Sequence, residues 1–136
     1  TVFGGFIADK SLLFGLVYLS KLFVFPTTYE AMAATLLEVA ALRTPLIASD
    51  IPENREVLPD QATFFKSADV ADLRTKLRWA LAHPEELKGL TDRAYQWVSE
   101  NYRWPVVIGR YEQLYDQWTG GADGRTALRG TVAGGE

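Results

Sequence analysis

The sequence has no cysteine, one histidine (His83) and one methionine (Met32). The missing thiols exclude disulfides, thiolate metal sites and a cysteine nucleophile. A lone histidine excludes two- and three-histidine metal sites and the H-E-x-x-H helix, and no metal site is expected. Long apolar runs are missing too. The most apolar stretch, residues 12–19, is eight residues long, against roughly 18 for a bilayer span. Neither sign of charge dominates: 14 basic and 17 acidic residues leave a net charge of −3, which excludes a fold-wide basic surface for nucleic acid. The start carries no basic n-region and no small-residue cleavage site, so a cytoplasmic location is the expectation. Residue 1 is Thr, and the chain is expected to be a processed product or part of something longer. What is present is 136 residues, 48% hydrophobic and 23% charged, enough for one globular domain with a real core.

Apolar patterning predicts an α/β order. Residues 2–7, 22–25, 45–49 and 62–65 are short apolar runs without clean alternation, the pattern of strands covered on both faces of a parallel sheet. Between them lie helical stretches. One opens at Asp9 and runs to about Ser20, apolar nearly all round and therefore expected to be well buried. Another covers residues 35–42, and residues 55–58 read as one turn. Asp69 can cap a helix with the stripe Val70, Leu73, Leu77, Ala80 and Leu81. Pro84 fits the first turn of a second, and a third follows Trp104-Pro105. His83, at the junction before Pro84, reads as structural. The expected fold class is a Rossmann-like, partial parallel sheet of about four strands with flanking helices and a C-terminal helical segment. Residues 1–119 form the expected domain. Residues 120–136, with six glycines, read as a flexible tail.

Ligands of such sheets bind off the carboxyl ends of the strands. The connection at residues 26–34 is nine residues long, where two to six are usual, so it does more than turn the chain. Small residues, Ala31, Ala33 and Ala34, precede a helix start whose amides and dipole favour an anion. Glu30 and Glu38 bracket the segment with seven residues between them. Carboxylates accept hydrogen bonds from sugar and ribose hydroxyls. The same residues also read as plain structure: Thr35-Leu-Leu-Glu38 is a capping box, which would leave Glu30 a solvated loop acid. Asp50 and Glu53 either line the same cleft or serve as loop and cap acids. Lys10 reads as a solvated rim lysine, and Arg55 and Glu56 as surface or capping groups.

The run from Leu22 to Leu58, LFVFPTTYEAMAATLLEVAALRTPLIASDIPENREVL, resembles the donor-site signature of the retaining GT-B glycosyltransferases, specifically the large family 4 group. Residues 2–9 and 62–116 match more weakly. The E-x7-E spacing is a weak signal alone and a strong one beside the preceding V-F-P and the following T-P-L-I-A-S-D. The resemblance implies a UDP- or GDP-sugar donor, no cofactor, and metal-independent retaining transfer of a hexose to an acceptor such as a polysaccharide or glycolipid precursor. It implies that Glu30 contacts hydroxyls of the transferred sugar and acts as the catalytic-site acid. Met32, Ala33 and Ala34 would approach sugar and phosphate through their amides. Thr35 would begin the helix beside the diphosphate, and Glu38 would hold the ribose. By the resemblance, the acceptor-binding N-terminal domain is expected to be missing, as are the first two strands of the nucleotide-binding domain, which in the family's sheet order lie between the strands matching residues 2–7 and 22–25. The isolated chain is therefore expected to be inactive, and the full enzyme to associate with a membrane surface. Two other readings stand beside this one: a non-catalytic nucleotide or nucleotide-sugar module, or half of a split protein; and a flavodoxin-like domain in which Thr35 and Glu38 only cap. Ala31 and Ala33 replace the family's glycines, which would cost about 1 kcal/mol or more wherever a positive φ is required. Arg43 replaces a helix-ending glycine, so that cap is expected to be strained or differently closed.

Overall fold

The computed structural model describes residues 1–119; the expected tail at 120–136 lies outside the described residues. Two units are distinguished, Thr1–Ser99 and a second beginning at Glu100.

In the first unit, α1 (Lys10–Leu19) starts at Asp9, whose carboxylate accepts from the amides of Ser11 and Leu12. β1 (Phe23–Phe25) leads through a loop to α2 (Ala34–Ala41). β2 (Leu46–Asp50), α3 (Pro52–Val57) and β3 (Thr63–Lys66) follow, then α4 (Val70–Ala82) and α5 (Pro84–Asn101), which crosses into the second unit. The three strands form one parallel sheet in the order β1-β2-β3. Phe25 pairs with Ala48, and Ser49 with Phe65. β2 is central, and its Leu46, Ile47, Ala48 and Ser49 are all buried. That explains a continuous apolar run with no solvent face.

Alternation along the strands assigns the two faces. Ile47 and Phe65 pack with Ala80 of α4 and Leu87 of α5, joined by Leu73, Leu77 and Trp79. On the opposite face Phe23 lines a cleft with Leu13, Phe14 and Val17 of α1 and Val39 of α2. Asp69 caps α4 by accepting from the amides of Ala71 and Asp72. His83 closes α4: its Nδ1 lies 2.8 Å from the Trp79 carbonyl, and its ring stacks on that indole. In the second unit α6 (Trp104–Thr119) is one continuous helix, and Arg110 donates to Asn101 at 3.0 Å.

Two expectations are corrected. Residues 2–7 are not a strand. Val2, Phe3 and Phe6 are over 90% exposed, and Gly5 has φ +65. A left-handed residue breaks extension, and an apolar run without a neighbouring ladder cannot satisfy its N–H and C=O groups as a strand. Among the described residues the sheet therefore has three strands, not four. Likewise α1 is not well buried: none of its residues is fully buried, and Leu12, Leu16, Tyr18 and Leu19 are more than half exposed. Its apolar circumference exceeds what one sheet face and α2 cover.

Candidate functional site

The loop at residues 26–33 leaves the carboxyl end of β1 and enters α2. The helix starts one residue earlier than the sequence suggests. Ala33 occupies the N-cap position with φ −77 and no side-chain hydrogen bond. Thr35 is the second helical residue, and the Thr35–Glu38 capping box does not form. Physically, Thr35 sits too far into the first turn for its hydroxyl to reach the amides that a capping box serves. The Ala34 amide donates to the Met32 carbonyl at 2.8 Å and the Leu36 amide to Ala33 at 2.9 Å. Among the described residues the Thr35 amide has no acceptor. The helix start therefore retains an unsatisfied donor and the positive end of its dipole.

Ala31, Met32 and Ala34 are exposed, and Ala33 is buried under the turn. Glu30 is half-buried in the loop and Glu38 exposed on α2, neither with a hydrogen bond or ion pair among the described residues. Thr35 and Glu38 together line a cleft of about 100 Å³ against Leu13, Phe14 and Val17 of α1. A second cleft, of about 140 Å³, opens where Pro26 and Thr28 meet Phe65, Ala68 and Leu73. Ala31 and Ala33 are not among the residues with positive φ, so replacing glycine there carries no strain. Arg43 is: at φ 54 it closes α2 in a Schellman motif, with its amide on Ala40 and that of Thr44 on Val39. Its guanidinium lies 4.0 Å over the Tyr95 ring, a contact that offsets part of the backbone cost.

Asp50, a candidate for the cleft, is held elsewhere. Arg55 grips it with two hydrogen bonds, at 2.7 and 3.0 Å. That bonding holds the Asp50 carboxyl below its usual range against a burial effect in the opposite direction, and raises Arg55. Arg55 also lies 4.0 Å over Phe64 and donates to the Pro59 carbonyl.

Behind the loop lies a buried polar group that residue spacing alone does not mark. Asn54 of α3 is fully buried and donates to both the carbonyl and the hydroxyl of Ser49. The Ser49 hydroxyl donates in turn to the Thr27 carbonyl. The available signal was a polar residue on the interior side of a short helix, three residues before the buried Val57.

A parallel sheet with helices on both faces, and an uncapped helix start at the carboxyl ends of its strands, defines an α/β domain of the doubly wound kind. The chain belongs to the glycosyl transferases group 1 family, whose model matches residues 1–97. It is 29% identical over 109 residues to a glycogen synthase of Mycobacterium tuberculosis, covering 79% of this chain and 26% of the synthase. It is 32% identical over 94 residues to the serotype-specific mannosyltransferase WbdA of Escherichia coli, covering 69% of this chain and 10% of that protein. Among solved structures, sucrose-phosphate synthase from Thermosynechococcus elongatus superposes with a TM-score of 0.74 at 24% identity, over 86% of this chain and 30% of that one. A glycosyltransferase from Rickettsia africae superposes with a TM-score of 0.70 at 18% identity, over 80% of this chain and 30% of that one. The chain thus spans about a quarter of the glycogen synthase it matches. Among the described residues no helix is long and apolar enough to cross a membrane.

Proposed function

We propose that this chain is the donor-binding part of a retaining, metal-independent hexosyltransferase. Its ligand is a nucleotide-diphosphate sugar carrying UDP or GDP, and the acceptor is a polysaccharide or glycolipid precursor. Family membership supports glycosyl transfer, and the names of the matched relatives, a glycogen synthase and a mannosyltransferase, support glycan building. The observation that carries the reading is the α2 start: uncapped, with a free Thr35 amide, between the unpaired carboxylates of Glu30 and Glu38.

In this reading the diphosphate lies at that start, beside Met32, Ala33, Ala34 and Thr35. As the bond from the sugar to the diphosphate breaks, negative charge builds on the leaving group. The amides and dipole there stabilise it without reorganising. Glu30 orients the transferred sugar by accepting from its hydroxyls, and Glu38 accepts from the ribose. The acceptor side belongs to a separate N-terminal domain, supported by the share of its relatives that the chain covers. Alone, the chain binds donor and does not transfer. The full enzyme works in the cytoplasm, at a membrane surface where the acceptor is a lipid.

Calorimetry of the purified chain with a panel of nucleotide sugars tests this. Binding is expected for one donor at least, and Glu38→Ala is expected to weaken it at least tenfold with an unchanged circular dichroism spectrum. Undiminished binding by Glu38→Ala, with a lower Tm, would restore a purely structural role. Robust sugar transfer by the chain alone would overturn the division of labour.

A further inference from the structure

The carboxyl ends of β1 and β2 are tied together by a directional polar relay. The β1–β2 register ends at Phe25 opposite Ala48, so the Thr27 carbonyl lies beyond the ladder. A side chain takes the place of the missing backbone donor: the Ser49 hydroxyl donates its single proton to Thr27, the Phe25 carbonyl lying farther off at 3.5 Å. The hydroxyl is itself oriented from behind. Asn54 Nδ2 donates to Ser49 Oγ at 3.1 Å and to the Ser49 carbonyl at 2.9 Å. Ser49 is 1% exposed and Asn54 0%, so water does not compete for these bonds.

The relay is not an economical way to fill the interior. Asn54 Oδ1 is buried without a partner among the described residues. An apolar side chain would avoid that penalty. What the amide adds is a fixed position for Thr27, three residues before Glu30. We propose that Asn54, acting through Ser49, is a positioning residue that sets residues 27–30 for the donor sugar; this rests on the role given to Glu30 above.

The test uses the whole chain with Asn54→Ala, Ser49→Ala and, as control, Thr44→Ala. Thr44 is also buried on the β2 side, and its hydroxyl donates to Val17 instead. Backbone 15N order parameters at Thr28, Tyr29 and Glu30 are expected to drop from a rigid value of about 0.85 to below about 0.6 in the first two variants and to hold in the control. Affinity for UDP-glucose or GDP-mannose, whichever the unaltered chain binds, is expected to drop about tenfold in step. Ser49→Ala removes one oxygen only and serves if Asn54→Ala does not fold. Unchanged order parameters, or an equal loss in Thr44→Ala, overturn the relay. A loosened loop with undiminished donor affinity overturns its positioning role. An unaltered chain that binds no member of a panel of UDP- and GDP-sugars overturns the donor reading itself, while the order parameters still decide whether the relay holds the loop.

Discussion

At the scale of single residues, two backbone positions and one ion pair carry readable energies. Ala68 has φ 60 and is exposed, with no contact resembling the one that Arg43 makes to Tyr95. An alanine in the left-handed region costs about 1–2 kcal/mol. Ala68→Gly is therefore expected to raise stability by roughly 0.5–1 kcal/mol after the added freedom of the unfolded chain is subtracted. A urea titration would show a higher midpoint at unchanged slope. Arg43→Gly would gain less, since it also deletes the cation–π contact. The Asp50–Arg55 pair governs a pH effect. Arg55 bonding depresses the folded Asp50, and the amides of Asp72 and Ala71 depress Asp69 in the same direction. A carboxyl depressed in the fold stabilises above its unfolded pKa, about 3.9, and loses that contribution as pH drops through the lower folded value. Asp50 and Arg55 are 46% and 42% exposed, so screening limits the pair to about 0–1 kcal/mol. Asp50→Asn is expected to cost less than about 1 kcal/mol at pH 7 and to flatten the loss of stability below pH 4, followed by urea midpoints against pH.

At the scale of elements, the start of α2 sets the fold against the proposed function. A carboxylate in the first turn complements the dipole by about 0.3–1 kcal/mol, yet would repel a diphosphate. Ala34 is exposed on the first helical position. Ala34→Glu is expected to leave Tm unchanged or slightly higher while weakening nucleotide-sugar binding at least tenfold, by calorimetry beside a melting curve. A matching loss of both would mean that the substitution merely disrupts the turn. The elements also show where sequence is legible. β2 and β3 were readable because burial on both faces leaves an apolar run, and α4 because Asp69 caps a clear stripe. Residues 2–7 carry the same strand pattern and form none, because a strand requires a neighbour that local sequence does not reveal. The capping box at Thr35 and Glu38 was a correct spacing at the wrong position: the helix began one residue early, and spacing cannot fix a boundary to one residue. The Asn54–Ser49–Thr27 relay joins three segments, and no periodicity encodes which buried side chains meet. The long connection between β1 and α2 was legible from the strand and helix runs that bound it, while the roles proposed for its two acids rest on the resemblance.

At the scale of the whole molecule, uncovered apolar surface is the dominant feature. Val2, Phe3 and Phe6 are almost fully exposed, and Leu12, Leu16 and Leu19 of α1 are 54%, 51% and 79% exposed. Leu13, Phe14 and Val17 of the same helix line a cleft with Phe23 of β1, and β1 is an edge of the described sheet, with one row of backbone groups unpaired. Apolar patches beside an open parallel edge promote association. The isolated chain is therefore expected to self-associate as its concentration rises, with sedimentation velocity showing a concentration-dependent shift away from the monomer. Leu12→Glu with Leu16→Glu should return it to a monomer. Both side chains already lie half in water, so the pair is expected to change Tm by no more than a few degrees. If the unaltered chain sediments as a monomer throughout, the patch is less adhesive than its area implies. If the double variant unfolds, α1 is held by those two leucines more firmly than their exposure indicates, and α1 belongs to the core after all.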